Sequence, residues 1–245
     1  MKLNKYYART HQGPHLNINE DDILIDANNS LFAIFDGFGG TEIGDQAVAK
    51  AKKAFHSFFT KISNDPDATL PFFYSEQYAL ETNALVNALF MAHEDLLNEN
   101  KHREMSERGG VSTSSLMISG SMLSIASIGN CLTVLYRDGF LTMLNSPDII
   151  APFGGAYHHN ISKTFPLNAI GLYKDFPVKI EEFLVREGDK LLLLTDGIFS
   201  RLTFDEIENA LRHFTQNDKD LTNHLMAVSN DRGNLDNQSA IIVSL

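Results

Sequence analysis

Three carboxylates in this chain close or open apolar runs at places where the backbone is free to bend. Asp36 ends LFAIF and is followed by Gly37, Gly39 and Gly40; Asp196 ends LLLLT and is followed by Gly197; Asp236 stands just before SAIIV. A fourth acidic stretch, Glu20-Asp21-Asp22, leads into ILID. These acids have no histidine or cysteine beside them, so together they make an all-oxygen set. Carboxylates gathered in one cleft repel one another unless cations lie between them. Hard oxygen ligands select Mg2+ or Mn2+ over zinc or copper. Two such ions, about 3.5–4 Å apart, can share a bridging carboxylate and a hydroxide poised for in-line attack on phosphorus. Asp36 is the natural bridge, and Gly37 has no side chain to keep an ion from its carbonyl. Each feature also has a plainer reading. Asp-Gly after an apolar run is a common hairpin turn, and an acidic triplet at a strand start is commonly a solvated edge.

The elements that must position these acids follow from periodicity. ILID and residues 31 to 35 read as two strands joined at Asn28-Asn29. Thr41 can cap a helix beginning at Glu42, whose buried face is Ile43, Ala47, Ala51, Phe55, Phe58 and Ile62, ending at Asn64-Asp65-Pro66. A second helix is expected from Ser75 to about Asn98. His56 and His93 fall within these helices without forming a metal-ligand pair, and both read as surface or boundary residues. From Val111 the period becomes two, giving strands STSSLMIS, MLSIASI, LTVLYR and FLTML with turns at Ser119-Gly120 and Asp138-Gly139. Residues 145 to 170 read as an irregular flap; the adjacent His158 and His159 point different ways in an extended chain and make a poor metal site. VKIEEFLV and KLLLLTD then read as a strand pair joined through Glu187-Gly188-Asp189. Thr203 to Glu206 is a capping box opening a helix, a shorter helix follows, and Gly233 breaks it before the last strand. The expected architecture is α+β: two antiparallel sheets packed face to face with helices covering the outside.

The 245 residues, 43% of them apolar, suffice for one domain spanning 1–245 with a substantial core. A net charge of -11 argues against a nucleic-acid partner or an anionic membrane. No apolar run is long enough to span a bilayer, and the N-terminus lacks the apolar core of a secretory signal, so a cytoplasmic address is expected. The single cysteine, Cys131, lies in an apolar run and reads as a small buried hydrophobe.

Taken together, the motifs resemble the metal-dependent protein phosphatases of type 2C, in a short bacterial-like form. FAIFDGFGG is similar to that family's phe-ala-val-phe-asp-gly-his-gly-gly stretch. INED, ERGGVSTSSLMIS, SIASIGNCLTVLYRDG, KLLLLTDGIFSRLTFDEI and LDNQSAIIV follow in family order and cover nearly the whole chain. The resemblance implies a four-layer α/β/β/α sandwich and a phosphorylated protein as substrate. It also implies two Mn2+ or Mg2+ ions, with a third where Glu107 stands. Asp36 would bridge the ions and the Gly37 carbonyl would bind one. Asp196 and Asp236 would hold the other, Glu20 would reach the first through water, and Asp21 would support that edge. The implied reaction is hydrolysis of phosphoserine or phosphothreonine by a hydroxide between the ions.

Four departures qualify the resemblance. Leu16 stands where the family has an arginine that grips the substrate phosphate, which leaves Arg9, His15 and Arg108 as candidates. Phe38 replaces a histidine often assigned as general acid, so a metal-bound water would have to protonate the leaving group. Gly129-Asn130-Cys131-Leu132 replaces the family's gly-asp-ser-arg and loses a charge pair. The flap at about 145–170 is shorter than in the family. An active Ser/Thr phosphatase leads the alternatives, ahead of a weakly active or inactive phosphoprotein-binding scaffold and a hydrolase of small phosphoesters.

Overall fold

The computed structural model describes residues 3–39, 43–64, 69–148 and 166–245, and of residues 62–64 the backbone only. Among the described residues, ten strands form two five-stranded antiparallel sheets. The first sheet runs β1 (Lys5–His11), β10 (Gln238–Ser244), β9 (Lys190–Leu194), β6 (Leu132–Arg137), β7 (Phe140–Met143). The second runs β2 (Asp21–Asp26), β3 (Leu31–Phe38), β4 (Gly110–Ser119), β5 (Met122–Ile128), β8 (Lys179–Leu184). Helices α1 (Gly44–Asn64) and α2 (Leu80–Asn100) cover the outer face of the second sheet. The short α3 (Asp196–Phe199), α4 (Phe204–His213) and α5 (Asp218–Asp231) cover the first.

Strand alternation explains the continuous apolar runs. On β3, Phe32 and Ile34 turn toward the opposing sheet, while Leu31, Ala33 and Phe35 turn outward to α1 and α2. On β9, Leu191 and Leu193 face the other sheet and Leu192 and Leu194 face the helices. β10 divides in the same way, with Ile241 and Val243 inward and Ala240 and Ile242 outward. Central strands are buried on both faces, so both parities must be apolar. The result is the expected four layers: helices, sheet, sheet, helices.

Several expectations require correction. Lys5–His11 is a strand, β1, paired with β10 from Lys5↔Ser244 to His11↔Gln238. Its polar edge sequence gave no period to read. The segments expected as a pair, β8 and β9, lie in different sheets: β8 joins β5 and β9 lies between β10 and β6. The link at Glu187-Gly188-Asp189 therefore crosses between layers and is not a hairpin turn. α2 begins at Leu80, because Asn83 and Asn87 hold residues 72 to 75 as an irregular strap by accepting from the amides of Phe72, Phe73 and Ser75. His93 is buried: its ring stacks on Phe176 at 4.0 Å, and Nδ1 accepts from the Gly171 amide at 3.1 Å. His56 is exposed, as expected. The capping box at Thr203 and Glu206 is present in both directions. Cys131 is buried as expected, and burial pushes its thiol well above the ordinary range. The Thr41–Glu42 helix start, most of the flap and the pair His158–His159 lie outside the described residues.

Candidate metal centre

The acids collect where one end of the space between the sheets turns polar. Asp36 has the parity of Phe32 and Ile34, so it enters the same space two residues further along β3. Asp21 lies directly opposite it on β2, in the register pair Asp21↔Asp36. From the other sheet, β9 ends at Leu194, and Thr195, the N-cap position of α3, delivers Asp196 as that helix's first residue. Asp236 comes from the loop before β10, framed by Asn234, whose Oδ1 accepts from the Asp236 amide at 3.1 Å and whose Nδ2 donates to its carbonyl at 2.8 Å.

Burial makes this convergence expensive. Asp21, Asp36 and Asp196 are 6%, 9% and 4% exposed, so the solvated-edge reading does not hold for Asp21. Desolvation, reinforced by the charges of Asp196, Asp21 and Asp236, pushes the Asp36 carboxyl well above the usual range. Asp21 is raised in the same way by burial and by Asp196 and Asp236, against the opposing hydrogen bonds of Ser239 and Thr195. The Thr195 hydroxyl donates to Asp21 Oδ2 at 2.8 Å and accepts from the Ser239 amide at 2.9 Å. Asp36 Oδ2 is buried and has no hydrogen-bond partner. A buried carboxylate oxygen without a donor, among like charges, fits a hard divalent cation. The four carboxylates are within electrostatic reach of one another but are not closed round a point. Among the described residues no group of three or more His, Cys, Asp or Glu is drawn tight enough to hold an ion as it stands.

The remaining candidates separate. Glu20 sits on the α1 side, where a Cβ on Gly44 would lie 2.5 Å from its carboxyl carbon. Its carbonyl accepts from the Gly37 amide at 2.9 Å, which fixes the bend after Asp36. Gly37 has no room for a side chain: a Cβ would fall 2.6 Å from the Gly44 carbonyl oxygen and 2.8 Å from that of Glu20. Asp22 turns to solvent and pairs with Lys52 of α1 at 2.7 Å. Glu107 is exposed on a 3-10 turn, Met105–Glu107, ahead of β4. Leu16 and His15 lie in the turn after β1, His15 exposed. Arg9 is committed to Asn223 of α5. Arg108 borders the site loop, its carbonyl against Gly39, while its Nε donates to the Arg103 carbonyl at 3.2 Å. Phe38 packs its ring on Gly110, where a Cβ would meet it at 2.5 Å, and supplies no proton.

Asn237 is a supporting residue to which the sequence reading gave no role. Its Oδ1 accepts from the Glu20 amide at 2.9 Å, and its Nδ2 donates to the carbonyls of Gln12 and Ile18, each at 2.9 Å. One amide thus ties the acidic stretch at Glu20 to the loop carrying Asp236. Thr195 and Ser239 escaped notice too, although both share the parity of inward-facing leucine and isoleucine residues, which was the available signal.

No family model matches the chain, and no curated protein matches it. Solved structures do. The chain is similar to the PPM Ser-Thr phosphatase MsPP from Mycobacterium smegmatis, solved with cacodylate, at 21% identity over 100% of both chains with a TM-score of 0.75. It is similar to the Mycobacterium tuberculosis serine/threonine phosphatase PstP/Ppp at 21% identity over 98% of both, TM-score 0.78. The PstP catalytic domain in complex with two manganese ions gives 21% identity over 98% of this chain and 97% of that one, TM-score 0.76. At this identity the likeness establishes the fold: this chain has the fold of the PPM Ser/Thr phosphatases.

Proposed function

We propose that this chain is a Mn2+- or Mg2+-dependent phosphoprotein phosphatase acting on phosphoserine or phosphothreonine. The observation that carries the reading is the convergence of buried Asp21, Asp36 and Asp196 with half-buried Asp236, Asp36 Oδ2 being left without a partner. Asp36, the Gly37 carbonyl, Asp196 and Asp236 would hold two ions, with Glu20 at the α1 edge and Glu107 available to a third. When bound, the ions would supply the positive charge that draws a phosphoester and lower the pKa of a shared water to yield the attacking nucleophile. The protein's own part is positioning. Thr195 and Ser239 keep Asp21 oriented, Asn237 fixes Glu20, and the bare Gly37 leaves its carbonyl open to approach. Of the three candidates for the phosphate, Arg108 borders the bend after Asp36 through its backbone carbonyl at Gly39, with its Nε on the Arg103 carbonyl, whereas Arg9 is engaged with α5.

A generic aryl phosphate assayed with and without Mn2+ tests this reading, followed by phosphopeptides carrying Ser, Thr or Tyr phosphate. Turnover that depends on Mn2+ and disappears in Asp196→Asn is the expected result. The loss of the usual arginine at Leu16 favours the second reading, a phosphoprotein-binding scaffold. That reading takes over if the folded chain binds Mn2+ and a phosphopeptide but turns over neither substrate.

A further inference from the structure

Beside the four acids lies a buried side chain that carries no charge. Asn130 occupies the connection between β5 and β6, where the chain leaves one sheet for the other. Its Nδ2 donates to Asp196 Oδ2 at 3.0 Å. The same side chain also reaches Asp36 as a hydrogen-bond partner. Asp36 belongs to one sheet and Asp196 to the other, so a single amide spans both carboxylates across the gap. The corner holding it is firmly built. Gly129 has a φ of +83°, and a Cβ there would fall 2.2 Å from Ser112 Oγ. The Gly129 carbonyl accepts from the Asp148 amide at 2.7 Å, and the Cys131 carbonyl accepts from Asn145 Nδ2 at 2.9 Å.

We propose that Asn130 is a positioning residue that sets Asp36 and Asp196 for a divalent cation; the inference rests on the metal-dependent reading above. An amide donor fixes the plane of a carboxylate through one oxygen and leaves the other for an ion. It does so without a countercharge that would compete with the cation. Asp36 Oδ2, which lacks any partner, is the oxygen left over. Exchanging the amide for a carboxylate would keep its shape, remove both N–H groups and add a fifth negative charge to the cluster. Groups that orient metal ligands in this way typically govern affinity by about 10–100-fold.

The test is calorimetric titration of Mn2+ into metal-stripped wild type, Asn130→Ala and Asn130→Asp, with melting curves in EDTA and in saturating Mn2+. Asn130→Ala should bind Mn2+ about 10–100-fold more weakly. Asn130→Asp should melt below wild type in EDTA and gain more from Mn2+ than wild type does. Wild-type affinity in Asn130→Ala overturns the inference, as does an equal fall in melting temperature with and without Mn2+. Should Asn130→Ala fail to fold, Asn130→Asp decides: melting in EDTA at or above the wild-type temperature overturns it. A wild-type chain that binds no Mn2+ removes the metal-dependent reading itself, and this inference with it.

Discussion

The space between the two sheets has two ends built by one rule and filled with opposite chemistry. Toward one end, Phe32, Ile34, Leu116, Leu191, Leu193, Ile241 and Val243 interdigitate with no polar atom among their side chains. Toward the other, residues of the same parity on the same strands are Asp21, Asp36, Ser112, Ser114, Thr195 and Ser239, all buried. There the sheets are joined by hydrogen bonds: Ser114 to Thr133 at 2.7 Å, and Thr195 to Asp21 at 2.8 Å. Backbone alternation delivers the side chains in both places. The apolar end stabilises the fold by burial; the polar end spends part of that stability to hold charges that repel.

The contrast breaks most visibly at its apolar end. Leu193→Ala, at a fully buried position, should cost about 2–5 kcal/mol of stability, read as a lowered denaturant midpoint. Mn2+ affinity should survive in the fraction that stays folded. At the polar end, Asp36→Asn should lower Mn2+-dependent turnover by more than about 100-fold, beyond the range for a mere supporting group. The same change should raise the metal-free melting temperature, because it removes a buried charge and its repulsion. A variant that loses both stability and activity would show that the acids serve the core.

Protonation sharpens the comparison further. Asp21 and Asp36 are raised in the folded state, so the native protein binds protons more tightly than the unfolded chain. Their contribution to metal-free stability is therefore fully present below the unfolded carboxylate value of about 4 and is lost as pH rises through the raised folded values. Melting curves from pH 4.5 to 7.5 in EDTA should show that decline. Saturating Mn2+ should reverse it, since binding requires the ionised carboxylates and releases their protons. The smallest effect belongs to Ser114→Ala, which strips one bond between the sheets and leaves Thr133 short of a partner, at about 1 kcal/mol, or a melting shift of roughly 2–4 °C.

Much of this was legible in the sequence, and the physical reasons are specific. Apolar runs that stop at Asp36 and Asp196 announce both a strand buried on two faces and an acid at its tip. Thr203 and Glu206 specify a helix start through local hydrogen bonds alone, so no tertiary knowledge was needed. What escaped depends on partners distant in sequence. β1 is a polar edge strand, defined only by its pairing with β10. β8 and β9 are consecutive runs that local pattern cannot assign to separate sheets. His93 is polar in type but buried, since its acceptor nitrogen is satisfied by Gly171, far along the chain. Asn237 reads as an ordinary loop residue, and Asn130 only as part of a lost charge pair, until the carboxylates and carbonyls they hold come within reach.

The placement of β10 between β1 and β9 bears on how the molecule is made. Asp236 and the Asn237 clamp on Glu20 arrive with that strand, after every other described element has been synthesised. Until it inserts, β9, β6 and β7 can pair without it, but β1 has no strand to pair with. The acids from the two ends of the sequence are therefore held together only once that strand has paired. Contacts spanning more than two hundred residues are intrinsically slow to form.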